Sequence, residues 1–184
     1  MRKLKAGGFM TLDGVFQDPG GFGELDGGGW ALPYFSDAAR DDAIAGIEAS
    51  DLFLCGRVTY ELLSTAWSGN EGEYADRLRE IPKLVASRTL RGPLTWNASV
   101  LDGDVPEAVA ELKVLPGKDI VMYGSGTLLR TLLRHGLVDE VAVGVHPLVL
   151  GEGKRLFDGI GRADLTLVDV AKGDTGVATL IYRP

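Results

Sequence analysis

Two glycine-marked segments carry the residue types best suited to hold an anion: Phe53-Leu54-Cys55-Gly56-Arg57-Val58-Thr59-Tyr60 and Val121-Met122-Tyr123-Gly124-Ser125-Gly126-Thr127. In each, an apolar run that reads as a buried strand ends in glycine and gives way to a helical pattern. The start of a helix leaves its first backbone N–H groups without intrahelical partners, and the aligned peptide dipoles favour negative charge there. Glycine lets a ligand approach the backbone closely. Arg57 and Thr59 add a guanidinium and a hydroxyl to the first junction, and Ser125 and Thr127 add hydroxyls to the second. Either segment alone is better read as a tight turn than as a ligand site. Together, on neighbouring strands of an open α/β sheet, they predict a site holding the two ends of one dinucleotide, because ligands of such sheets bind beyond the carboxyl ends of the strands. The Gly-x-Gly-x-x-Gly fingerprint is absent, since Gly124-Ser125-Gly126 runs on into Thr127-Leu128-Leu129.

Other candidates for chemistry are few. Cys55 is the only cysteine, which excludes an intrachain disulfide, and its place at the end of Leu52-Phe53-Leu54 predicts a packing role. The two histidines, His135 and His146, have no paired cysteines beside them, so neither a structural zinc site nor any other bound metal is expected. His146, before Pro147, is expected to be a satisfied structural histidine. A net charge of −7 argues against a nucleic-acid or anionic-lipid partner, either of which needs a concentrated basic patch. The apolar runs are too short for a membrane span, and Met1-Arg2-Lys3-Leu4-Lys5 leads into strand-like sequence rather than a signal peptide. A cytoplasmic location is the expectation.

The elements that must position these residues alternate. Leu4 to Leu12 reads as a strand ending at the turn pair Asp13-Gly14. Six of the ten residues from Gly20 to Gly29 are glycine, which predicts a long mobile loop. A helix is expected from Pro33 to about Ser50, a strand at Asp51 to Cys55, a helix from Gly56-Arg57 through Trp67, a polar loop from Ser68 to Gly72, and a short helix over Tyr74 to Glu80. A strand at Lys83 to Ser87, a helix from Pro106 to Val114 and a strand at Asp119 to Tyr123 follow. Leu128, Leu129, Leu132 and Leu133 share one face of the clearest helix, which Gly136 stops. Val138 to Val145 reads as a strand, and Leu165 to Val170 pairs with Val177 to Tyr182 as a hairpin. The order predicts a single α/β domain over residues 1–184, with a mostly parallel central sheet flanked by helices and a C-terminal antiparallel hairpin. The Val138 to Val145 strand, the hairpin and Trp67 are the surfaces from which a homodimer would be built.

The segment from Gly56 to Tyr60 resembles the helix start that holds NADPH phosphates in the dihydrofolate reductase fold, and Tyr123 to Gly126 resembles that fold's later glycine-rich turn. The chain is similar throughout to the C-terminal reductase domain of the bacterial riboflavin-synthesis deaminase-reductases and its stand-alone relatives. Thr11 to Gly14, Leu54 to Tyr60, Lys83 to Leu90, Met122 to Leu133 and His146 to Phe157 carry that similarity in family order. The resemblance implies an NADPH-dependent reductase of a small molecule. It places Arg57 on the 2′-phosphate, Ser87 and Arg88 near the same ribose, and Thr59, Ser125, Gly126 and Thr127 on the pyrophosphate. Asp13, at the end of the first strand, is the one candidate for handling a proton. Its turn-forming role with Gly14 is the competing reading.

Two departures bear on substrate. Trp30-Ala31-Leu32-Pro33-Tyr34-Phe35 resembles the Trp-x-Leu-Pro-x-Asp stretch of folate reductases, but Phe35 stands where the pterin-anchoring carboxylate would be. An apolar ring cannot hold a protonated pteridine, so folate is not the expected substrate. No His-x-Glu with a later Pro-Cys-x-x-Cys occurs, so the zinc deaminase half of the bifunctional enzymes is absent from this sequence. A non-catalytic nucleotide-binding protein, a sensor or scaffold on the same fold, is the alternative that the missing carboxylate leaves open.

Overall fold

The computed structural model describes all residues from Met1 to Pro184. Eight strands form one sheet in the order β4-β3-β2-β5-β1-β6-β8-β7. They are β1 Leu4–Thr11, β2 Ser50–Gly56, β3 Lys83–Ala86, β4 Ala98–Val100, β5 Asp119–Tyr123, β6 Glu140–His146, β7 Thr166–Lys172 and β8 Ala178–Arg183. All pairings from β4 across to β6 are parallel, while β8 runs antiparallel to both β6 and β7. The helices are α1 Asp37–Glu48, α2 Arg57–Trp67, α3 Glu73–Glu80, α4 Val105–Val114 and α5 Gly126–Arg134.

The alternation of side chains along β2 explains why the sheet is covered on both faces. Leu52 and Leu54 point to one side, into a core shared with Leu4, Met122 and Val141 and closed by Val109 of α4 and Leu129 and Leu132 of α5. Phe53 and Cys55 point to the other, where Ile47 of α1, Tyr60 of α2 and Leu78 of α3 pack. Cys55 is fully buried, and burial pushes its thiol up to about 12, which makes it inert.

The structure sharpens or corrects several expectations. The helix expected from Pro33 is divided: Leu32–Tyr34 is a single 3-10 turn, and α1 begins only after Ser36, whose hydroxyl accepts the Ala39 N–H. Strand β4, just three residues at the sheet edge, had no counterpart in the sequence reading. It follows Trp96 and Asn97, both in the left-handed region with φ of 61° and 52°, a turn that a pattern of hydrophobicity does not encode. Gly136, at φ 64°, ends α5 as expected. Every residue of β7 is exposed, including Leu167, Val168 and Val170. Trp67 instead packs inward, edge-on to Tyr74 at 4.9 Å.

The glycine-rich segment is organised rather than loose. Asp18, 2% exposed, accepts the backbone N–H groups of Phe22, Gly23, Glu24 and Leu25 through its carboxylate, and its carbonyl accepts from Gly29. Trp30 donates its indole N–H to the Gln17 carbonyl at 2.8 Å, pinning the far end of the loop. A buried carboxylate needs partners, and a ring of amides supplies them without a cation.

Candidate functional site

Strands β2 and β5 are parallel neighbours, so the junctions that follow them emerge on the same edge of the sheet, side by side. They are joined directly. The Ser125 hydroxyl accepts the Gly56 N–H at 2.8 Å and donates to Thr59 Oγ1 at 2.7 Å, tying the first turn of α2 to the residue that opens α5. Because that hydroxyl is engaged across the junction, it does not cap its own helix, and Gly56 has no side chain to cap α2. Both helices therefore present first-turn amides with no side-chain acceptor.

The turn after β5 is held in an uncommon conformation. Gly124 lies at φ 63° and Ser125 at φ 56°, the latter a non-glycine residue in the left-handed region. Such a residue persists where its surroundings over-determine it, and its two hydroxyl bonds do so here. The next backbone unit is also crowded: a Cβ built at Gly126 would lie 2.5 Å from the Phe16 ring, so only glycine leaves room for that ring over the helix start.

The remaining predicted residues surround this pair to different degrees. Gly56 is in register with Ala86, so Ser87 and Arg88 leave β3 beside the Gly56-Arg57 turn. Ser87 Oγ accepts from the amides of Thr89 and Leu90, shaping the turn, while Arg88 contributes only its carbonyl, which accepts from Arg91 at 3.0 Å. Arg57 is paired with Glu61 one turn along α2, at 2.8 Å, with both side chains 44% exposed. Thr127 stands in the first turn of α5, its hydroxyl accepting from Arg130 at 3.2 Å.

Asp13 is elsewhere in character. Its carboxylate accepts from the Thr11 hydroxyl at 2.6 Å and from the amides of Gly151 and Leu150 at 2.9 and 3.3 Å, with Arg155 at 3.9 Å. The Thr11 bond, reinforced by those amides, holds its pKa at about 2. The geometry has Asp13 clamp the end of β1 onto the loop after β6, in keeping with its turn-forming reading, and a group ionised throughout the neutral range has no proton to give.

A feature that the site reading missed lies between the sheet and the loop pinned by Asp18. The His146 ring, 2% exposed, is enclosed by the rings of Phe9 at 5.1 Å, Trp30 at 5.1 Å and Tyr34 at 5.4 Å. Burial keeps its pKa below the ordinary histidine value even though Nδ1 bonds the Gly144 carbonyl at 3.0 Å. It is a neutral member of an aromatic wall. Phe35, at the position of the absent carboxylate, extends that wall from Phe9 to Tyr74, at 6.4 and 6.0 Å. The aromatic count was visible in the sequence, but its convergence from β1, the loop, α3 and β6 was not.

The RibD C-terminal domain family matches this chain over residues 2–179. The chain belongs to that family. A Bacillus subtilis (strain 168) relative, the uncharacterized protein YyaP, is 34% identical over 181 residues, which cover 95% of this chain and 90% of the relative. The deaminase/5-amino-6-(5-phosphoribosylamino)uracil reductase of Thermotoga maritima superposes with a TM-score of 0.67 at 17% identity, covering all of this chain and 56% of that one. Dihydrofolate reductase from Enterococcus faecalis, solved with NADP(H), superposes with a TM-score of 0.59 at 15% identity over 98% of this chain and 95% of that one. The RibD C-terminal fold is thus of the reductase, dihydrofolate reductase-like type expected from the sequence. Among the chain's helices, none is long and apolar enough to cross a membrane, and no cluster of His, Cys, Asp and Glu is arranged to hold a metal.

Proposed function

We propose that the chain is an NADPH-dependent reductase of a small molecule, with the dinucleotide held across the paired starts of α2 and α5. The observation that carries this reading is the hydroxyl of Ser125 bonded to both Gly56 and Thr59, which fixes two sets of open amides at one edge of the sheet. The residues fit the group. Glycines at Gly56 and Gly124 keep the backbone accessible, while Gly126 is covered by the Phe16 ring; the helix starts favour phosphate oxygens, and Arg57, with Ser87 and Arg88 beside it, offers the cationic and hydroxyl groups that a 2′-phosphate requires.

When bound, the nicotinamide supplies a hydride equivalent. The chain's own part is placement. The amides of Thr59 and Thr127 orient the pyrophosphate, and Arg57 exchanges Glu61 for the 2′-phosphate. The aromatic wall of Phe9, Trp30, Tyr34 and His146 keeps water from the neighbouring space. With Asp13 ionised and His146 buried and neutral, no side chain is assigned as proton donor.

Titration of purified protein with NADPH and NADH tests the reading. Arg57→Ala is expected to weaken NADPH binding by about 10- to 100-fold, the range for a hydrogen bond to a charged group, and to leave NADH nearly unchanged; equal losses for both would overturn the 2′-phosphate assignment. Oxidation of NADPH by any acceptor in a panel of pyrimidines, pterins and quinones separates an enzyme from a nucleotide sensor.

A further inference from the structure

A cleft of about 370 Å³ opens between the start of α1, the end of α2 and the start of α3. Its size lies at the lower end of small-molecule sites, enough for one or two fused rings and a substituent. The inner wall is aromatic: Phe35, Trp67 and Tyr74 line it, with Trp67 and Tyr74 edge to face at 85°. From there the ring contacts run inward, Tyr74 to Phe35 to Phe9 to His146. Tyr123, the residue before Gly124, stands next to this wall. Its ring packs over Gly7 of β1, and a Cβ at Gly46 of α1 would lie 3.0 Å from its hydroxyl. The aromatic wall of the cleft is thus continuous with the rings packed against β1 and β5.

The titratable rings in and behind this wall are neutral under ordinary conditions. Burial pushes the Tyr123 phenol up to about 12 and that of Tyr74 higher still, and His146 is uncharged. The mouth is negative. Asp41, Glu71 and Glu73 line it against one cation, Arg40, which is already engaged by Asp37 at 2.9 Å and Asp41 at 3.7 Å. Glu73 reaches only the periphery of Arg77, at 3.8 Å, whose nearer partner is Glu48 at 2.9 Å, and Glu71 has no ion-pair partner. A phosphate monoester entering here would meet a surplus of carboxylates and no free cation. A ring bearing an ammonium would meet aromatic faces, which attract cations, and carboxylates at the rim.

We propose that the substrate entering this cleft is an unphosphorylated aromatic or heteroaromatic molecule carrying a basic, positively charged group, its ring against Trp67, Tyr74 and Phe35 and its cation at Glu71 and Asp41. This deepens the reductase reading and rests on it for the word substrate; the binding preference stands on the cleft alone. It also parts this chain from the Thermotoga protein, whose name specifies a phosphoribosyl compound.

Calorimetric titration with three probes of one shape, 2-naphthylmethylamine, 2-naphthylmethanol and 2-naphthyl phosphate, tests the proposal on the intact protein with and without NADPH. The amine is expected to bind at least about tenfold more tightly than the phosphate, with the alcohol between them. Glu71→Gln combined with Asp41→Asn should remove the amine's advantage over the alcohol, and these surface exchanges keep the fold testable. Trp67→Ala should weaken amine and alcohol alike, with Trp67→Phe recovering much of the loss. Phosphate binding as tight as the amine, no measurable binding of the amine, or an amine affinity indifferent to the carboxylate variants would each overturn the proposal. If the probes behave as expected but NADPH does not bind, the dinucleotide reading fails and the cleft's preference stands; if NADPH binds and the probe order is reversed, only the substrate class is wrong.

Discussion

The parallel strands begin and finish in opposite chemical settings. Where they begin, charges are matched: Arg2 pairs with Asp51, Lys5 with Asp119 at 2.9 Å, and Lys113 with Asp139 at 2.6 Å, while Asp139 also accepts the Leu4 amide at 2.7 Å. Where β2 and β5 finish, the chain turns on glycine, and the groups nearest the turns are hydroxyls and unfilled amides. A cleft of about 600 Å³ lies at the matched end, lined by Arg2, Asp51 and Lys83 among others. Its concavity does not make it a binding site, because its charged groups are already engaged within the chain: Arg2 pairs with Asp51, and the Lys83 amine donates to the Ile81 carbonyl at 2.7 Å and lies 4.3 Å from the centre of the Trp96 ring. One end of the sheet uses polarity to hold strands together, and the other leaves it available to a ligand.

The sharpest way to break this contrast is to disturb the matched end and look for an effect at the other. Lys113, 7% exposed as a side chain, also donates to the Leu137 carbonyl at 2.9 Å. Lys113→Met leaves Asp139 without its cation and should cost about 3 kcal/mol, a fall in Tm of roughly 6–12 °C by calorimetry, with NADPH affinity unchanged. A large loss of affinity would mean that the two ends are not separable.

Ser125→Ala makes the reciprocal test. Losing two hydrogen bonds at roughly 1 kcal/mol each should weaken NADPH binding by about tenfold and lower Tm by only a few degrees, since the junctions would stay in place but lose their common anchor.

Acid reaches the clamp beside the site. Asp13 titrates at about 2 instead of the usual 3.8, so its contribution is complete above pH 3.8 and is lost as the pH falls through 2. Exchange protection of the Gly151 amide, followed by NMR, should decline over that window in the wild type and show no such step in Asp13→Asn.

The smallest effect is expected at Glu61. Glu61→Gln frees Arg57 from an exposed pair worth well under about 1 kcal/mol and should tighten NADPH binding by about two- to fivefold at low salt, with the gain vanishing as ionic strength rises.

What could be read from the sequence was local. The buried run into Gly56, the small residues after Tyr123 and the four leucines before Gly136 are patterns within one or two elements, and each element formed where its pattern placed it. Parallel order put both junctions on one edge of the sheet; that they are neighbours depends on β5 lying between β2 and β1. The bond that unites them did not, because Ser125 and Gly56 are 69 residues apart and the contact depends on a left-handed serine. Asp13 was only half legible for a similar reason: its partners at Leu150 and Gly151 lie 137 and 138 residues away, so its neighbours in sequence disclosed a turn but not the amides that keep it ionised. Glycine content made the segment from Gly20 to Gly29 look mobile, when a single acid just before it supplies the order.

That acid sets a limit on how the segment can change. Four consecutive amides, from Phe22 to Leu25, converge on the Asp18 carboxylate, so the span between them is measured by the reach of one short side chain. A stretch whose composition invites insertions and deletions is thereby expected to tolerate exchanged side chains far better than a change of length.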